Sequence, residues 1–135
     1  VLKPLLGVFV ILHGLVHLWF VVLSQRLVTF QPEMGWTGRS WLLTDLAGDA
    51  ATRLVAGVAY TLATVAFVVG GTGLLTAGTW WRPVLIGAAA FSGAAILLLW
   101  DGVTQLLVPR GIIGLGIDLA LLFLVLIARW PAAST

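Results

Sequence analysis

The chain has 135 residues, of which 61% are apolar and only 9% charged, where an ordinary soluble domain carries roughly 25%. So few charges cannot cover the surface of a soluble domain. Seven Lys and Arg form no cationic cluster able to track a phosphate backbone, which sets nucleic acid aside, and the absence of Cys excludes disulfides, thiolate metal centres and thiol redox chemistry.

The first element begins at Lys3, a lone cation followed by an apolar run from Leu5 to Leu23. That run is long for the core of a signal peptide, and no small-x-small cleavage site follows it. It is expected to be the first membrane span, over about residues 4–24, long enough for the ~30 Å hydrocarbon core. Residues 25–52 form the one substantial extramembrane segment, with Arg26, Glu33, Trp36, Arg39, Trp41, Asp45 and Asp49. Within it Trp41, Leu42, Leu43 and Leu46 fall on one side of a short helix suited to the membrane interface. Further spans are expected over about 53–77, 83–100 and 111–130. Short connections between them make neighbours antiparallel.

The punctuation agrees with these bounds. Pro4 and Pro83 stand in first helical turns, where proline is tolerated. Trp80, Trp81, Trp100 and Trp130 fall at span ends, as interfacial aromatics do. Pairs such as Ala59 and Ala63, Ala66 and Gly70, and Ala89 and Gly93, together with Gly114 and Gly116, supply small side chains for close helix packing. Arg53 and Arg129 read as snorkelling anchors. The expected fold is all-α: an integral membrane four-helix bundle, one transmembrane domain over residues 1–135, with a longer loop between helices one and two. Lys3, Arg82 and Arg129 lie on the side of the termini, and Arg26, Arg39, Arg53 and Arg110 on the other, so the count of cations decides nothing. The side of the termini carries no acid, whereas Glu33, Asp45, Asp49 and Asp101 lie on the other, and on that ground the termini are expected to be cytoplasmic, in a bacterial inner membrane.

Ionisable groups inside a span cost several kcal/mol unless paired, hydrated or metal-bound, so His13, His17 and Asp118 stand out, with Asp101 at the end of the third span. His13 and His17, four residues apart, share one helix face. Asp118 has Gly114 and Gly111 on its own face. Counted from the expected span ends, His17, Tyr60 and Asp118 each lie seven residues in, about 10 Å below the loop-side surface, with His13 one turn deeper. The expected ligand-binding pocket is therefore His13, His17, Tyr60, Asp101 and Asp118, opening on that side.

Three readings fit this set. One is a structural polar network. Another is a ligand or catalytic pocket, with His17 as acid/base and Asp118 orienting it, because imidazole titrates near neutral pH. The last is a metal or tetrapyrrole held through His13 or His17. No HExxH motif is present, since Gly14, Leu15 and Val16 separate the histidines. Two histidines on one helix cannot sandwich a haem within a monomer; a single axial ligand or a shared site in a homodimer stays open. Gly70-Gly71-Thr72-Gly73 lacks the Lys-Ser/Thr and the strand-to-helix setting of a phosphate loop.

The segment Ile11-Leu12-His13-Gly14-Leu15-Val16-His17-Leu18 resembles the opening of a group of small, uncharacterised bacterial four-span membrane proteins that begin with a His-Gly-x-x-His helix. Trp80-Trp81 between spans two and three, Trp100-Asp101-Gly102, and the stretch from Gly111 to Asp118 extend the likeness over nearly the whole chain. The resemblance implies a four-helix fold in which His13, His17, Asp101 and Asp118 belong together, and it implies no reaction. The function expected is a small ligand-binding membrane protein or an accessory subunit of a larger membrane complex. The alternative is a membrane-embedded enzyme using the His–Asp pair or a His-ligated metal. Its partners are the lipid bilayer and either other membrane subunits or further copies of itself. No inverted repeat of the kind transporters use is visible.

Overall fold

A computed structural model describes residues 2–105 and 107–131. Four helical spans run in series: α1 (Leu2–Ser24), α2 (Leu43–Leu75), α3 (Trp81–Leu99) and a fourth span (Val108–Ile127) built around α4 (Ile113–Leu122). Each is long and apolar enough to cross a membrane, which fits an integral membrane protein. α1 packs on α2, α2 on α3 and α3 on α4, so the chain folds as an antiparallel bundle.

The bundle turns ordinary amphipathicity inside out. The buried face of α1 is Gly7, Val10, His13, Gly14, His17 and Phe20, spaced at three and four residues. Its exposed face is Leu5, Val8, Leu12, Val16 and Trp19. Large apolar side chains point outward because lipid accepts them, while small and polar ones point inward. Glycines set the closest approach, between α1 and α2. A Cβ at Gly14 would lie 2.6 Å from Phe67 Cβ, and one at Gly71 would lie 2.7 Å from the Gly7 carbonyl oxygen. Gly70 and Gly93 also face neighbouring helices, but Gly116 faces open space and packs against nothing.

Two apolar clusters fill the interior. One, toward the termini, contains Val10, Phe67, Leu74, Trp81, Leu85 and Leu121. The other, toward the long loop, contains Phe20, Leu23, Trp36, Tyr60, Ile96 and Leu99. His13, His17 and Asp118 lie between these two layers. Trp81, expected at the interface, is buried as part of the core, while its neighbour Trp80 is exposed.

The long loop folds back onto the bundle. A single 3-10 turn (Pro32–Met34) leads to Trp36, which is 1% exposed and packs on Phe20 and Tyr60, its indole donating to the Arg39 carbonyl. Ser40 and Trp41 then stitch the loop to the last turn of α3. Ser40 donates to the Leu98 carbonyl and the Trp41 indole to that of Leu97. The expected short helix before the second span exists as residues 43–47. It runs into α2 through a break at Gly48, whose φ of 88° only glycine adopts readily. Arg53, expected as a snorkelling anchor, has a definite partner in the protein. It donates to the carbonyls of Ser24 and Gln25, satisfying the end of α1. Arg82 does the same for the fourth span, through the Val125, Arg129 and Pro131 carbonyls.

Candidate functional site

His13 and His17 are brought to the bundle interior by the same glycine-lined stripe that seats α1 on α2. His13 Nε2 lies 3.0 Å from Asp118 Oδ1. Asp118 is 0% exposed, so its carboxyl group is served entirely from inside the protein. Its other oxygen, Oδ2, is 2.6 Å from Ser92 Oγ on α3. Ser92 Oγ is in turn 2.7 Å from His17 Nε2. The remaining nitrogen of that ring, Nδ1, is 3.1 Å from the His13 carbonyl oxygen one turn earlier. Three helices thus close one buried polar circuit, and among the described residues no buried side-chain nitrogen or oxygen lacks a partner.

Aromatic faces wall the circuit. His13 meets Phe67 edge-on with centroids 4.8 Å apart, and the two imidazoles stand edge to face at 5.1 Å. Tyr60 approaches His17 at 6.0 Å between centroids but makes its main contacts with Phe20 and Trp36 above it. It roofs the circuit without hydrogen-bonding to it. Thr64 spends its hydroxyl on the carbonyls of Tyr60 and Gly14, which pins α2 to α1 just beside the histidines.

Asp101 lies elsewhere. Arg110 Nε donates to its Oδ2 at 2.8 Å, the Val103 amide donates to Oδ1, and Thr37 adds a third contact. The Arg110 guanidinium also donates to the Gln105 carbonyl. This carboxylate folds the connection between α3 and the fourth span; it does not reach the histidines.

Register explains the pairing within the circuit. The fourth span starts at Val108 rather than Gly111, through a π-helical turn that tolerates Pro109 early and pivots at Gly111, φ 100°. Asp118 is therefore nearly one turn deeper than a start at Gly111 implies, and stands level with His13 instead of His17. His17 is met by Ser92. Both are seven residues before the ends of their helices, Ser24 and Leu99, on the same side of the bundle. Ser92 is the residue that sequence reasoning missed. It is the one hydroxyl in α3, and that depth match was its signal.

A cavity of about 330 Å³ lies between α1 and the fourth span, and both imidazoles form part of its wall. The rest is apolar, including Phe20, Ile96 and Ile117, with Met34 and Pro109 toward the loops. The two loops touch there. A Cβ at Gly35, φ 114°, would come 2.2 Å from the Pro109 carbonyl oxygen. The cavity's outer rim includes Val16 and Ile113, each more than half exposed on the lipid-facing surface.

Donor atoms of His13, His17 and Asp118 lie within 4.8 Å of one another, close enough to converge on one cation. The hydrogen bonds argue for a different use. His13 Nε2 and Asp118 Oδ1 face each other, His17 Nε2 is turned to Ser92 and His17 Nδ1 to a backbone carbonyl. A cation would have to displace these bonds, which use both nitrogens of His17 and Nε2 of His13, leaving His13 Nδ1 as the ring nitrogen outside the circuit. Comparison of the chain with protein-family models, with curated proteins and with solved structures finds no match, so the reading of this site rests on its own chemistry.

Proposed function

We propose that this chain is a membrane-embedded binding protein for a lipophilic small molecule carrying one polar group. The ligand would occupy the cavity between α1 and the fourth span, its polar atom at the His13–His17 wall. One observation carries the reading: an apolar cavity of about 330 Å³, rimmed by lipid-exposed side chains, has as its polar feature two imidazoles of a buried hydrogen-bonded circuit. The volume falls at the small end of the range for small-molecule sites, which are mostly apolar with a few placed polar groups. Access from the bilayer between two helices suits a molecule already dissolved in lipid.

The test is organic extraction of the protein purified in a mild detergent, with mass spectrometry of the extract. A lipophile enriched in wild type and lost both in Ile117→Trp, which fills the cavity, and in His13→Ala supports the proposal. Identical extracts from all three proteins count against it.

A second reading, an enzyme, uses the same pocket. It draws on the 3.0 Å contact that holds His13 Nε2 on a buried carboxyl group, the arrangement by which a general base is oriented. It differs in predicting a chemically altered molecule in the wild-type extract that His13→Ala does not yield. For placement, we propose the bacterial inner membrane with both termini cytoplasmic, following the acid-free cation set on that side. The chain has no Cys, so single cysteines at Thr29 and Gly78 are clean reporters. An impermeant thiol reagent added outside should label the first and spare the second.

A further inference from the structure

Hydrogen-bond geometry around Ser92 restricts where protons can reside. The His13 carbonyl oxygen only accepts, so His17 Nδ1, 3.1 Å from it, carries a proton. Ser92 has one hydroxyl proton and two short contacts, 2.6 Å to Asp118 Oδ2 and 2.7 Å to His17 Nε2. It donates in one and accepts in the other. If Ser92 donates to Asp118, His17 Nε2 must donate to Ser92, and a doubly protonated imidazolium faces a carboxylate. If Ser92 donates to His17 Nε2, then Asp118 Oδ2 must donate to Ser92, and a carboxylic acid faces a neutral imidazole. The remaining choice, a neutral His17 beside an ionised Asp118, leaves two lone pairs opposed at hydrogen-bond distance and a carboxylate that only a protonated His13 would balance.

We infer that Asp118, Ser92 and His17 hold one shared proton, with Ser92 as the relay between carboxyl group and imidazole. The two arrangements interconvert in a balanced step. The Asp118 Oδ2–H bond breaks as a new O–H forms on Ser92, and the original Ser92 proton passes to His17 Nε2. No electrons change hands and no third reactant enters. Both forms sum to zero charge over the trio, which is what burial in a span demands. The groups facing the trio are His13 from α1, the ring of Tyr60 from α2 and Thr64, whose hydroxyl is spent on backbone carbonyls. His13 holds Asp118 by its other oxygen in both forms. Among the described residues, no Lys or Arg hydrogen-bonds to the trio to supply a compensating charge. Ser92 is a positioning residue here, acting through the two groups it joins. The inference concerns the circuit itself and holds whether or not the cavity is filled.

The test combines nitrogen-15 NMR of histidine-labelled protein in lipid nanodiscs with infrared spectroscopy of the carboxylic acid stretch. Asp118→Asn assigns that stretch and His17→Gln assigns the ring. In wild type, the fraction of His17 with a protonated Nε2 and the fraction of Asp118 present as acid should sum to unity, as expected for one proton on a coupled pair. Ser92→Ala should end the exchange, leaving His17 with a bare Nε2 and Asp118 wholly as the acid; Ser92→Thr, which keeps the hydroxyl, should restore a proton divided between them. A wild-type protein with bare His17 Nε2 and no acid band at neutral pH overturns the inference, whatever the variants do. So does an unchanged pair of signals in folded Ser92→Ala, the result a purely structural serine predicts.

Discussion

Replacing Asp118 in two different ways separates its hydrogen bonds from its charge. Asp118→Ala deletes both side-chain contacts, to His13 on α1 and to Ser92 on α3, at a site with no access to solvent. Interhelical hydrogen bonds in membrane proteins are worth about 0.6 kcal/mol each, and up to ~1.7. Two of them give about 1–3 kcal/mol, and the space left by the lost carboxyl group adds roughly 1 kcal/mol at ~24 cal/mol per Å³. The expected loss is about 2–4 kcal/mol. Asp118→Asn keeps the shape and both contacts: its carbonyl accepts from His13 Nε2, and its amide donates to Ser92. That variant should cost less than about 1 kcal/mol. The assay is unfolding by sodium dodecyl sulfate in mixed lipid–detergent micelles, followed by fluorescence of the seven tryptophans. Equal losses for Asn and Ala would refute the reasoning, because they would mean that the two-sided hydrogen bonding does not hold the carboxyl group in place.

Three other outcomes are expected. Gly71→Ala puts a methyl group 2.6 Å from Ile11 Cγ1 and 2.7 Å from the Gly7 oxygen, so it should lower stability by about 1–3 kcal/mol in the same assay, while Gly87→Ala, with nothing within 4 Å, should be neutral or slightly stabilising. Gly35→Ala combines a backbone strained by about 1–3 kcal/mol with a collision against Pro109, and limited proteolysis of loop 25–42 should accelerate while the spans stay intact. Inductively coupled plasma mass spectrometry of the purified protein should find no stoichiometric Zn, Fe, Cu or Mg; a stoichiometric metal lost in His13→Ala would replace the hydrogen-bonded circuit with a metal centre.

The spans were legible because lipid leaves helices as the way to satisfy their backbones, and because proline, glycine and tryptophan mark where they stop. The meeting of His13, His17 and Asp118 was legible for a related reason: three ionisable groups in spans need each other. The depth of Asp118 was not, because its count depends on where a helix starts, and Pro109-Arg110-Gly111 reads as a loop until its π-helical turn is seen. Ser92 escaped because a lone hydroxyl can satisfy itself on its own helix, so nothing in the sequence demands a partner. Trp36 reads in the sequence simply as part of the extramembrane segment, yet the loop's fold makes it a plug over Tyr60. Asp101 was grouped with the histidines by level and chemistry, but Arg110, nine residues away, is its partner.

The position of Asp118 in the chain bears on how the protein is made. Helices leave the ribosome in order, and α1, α2 and α3 enter the bilayer before the fourth span exists. Until then His13 and Ser92 lack the carboxyl group that later joins them, and His17 is linked to nothing beyond α3. The fourth span is also the least buried of the four. Beyond the packing of Leu121 and Val125 in the core, its polar attachments include Asp118 and the Arg82 clamp near its end. Assembly therefore finishes with the arrival of a single acidic side chain, and a chain truncated before residue 118 should present quality-control proteases with three inserted helices and an open polar seam.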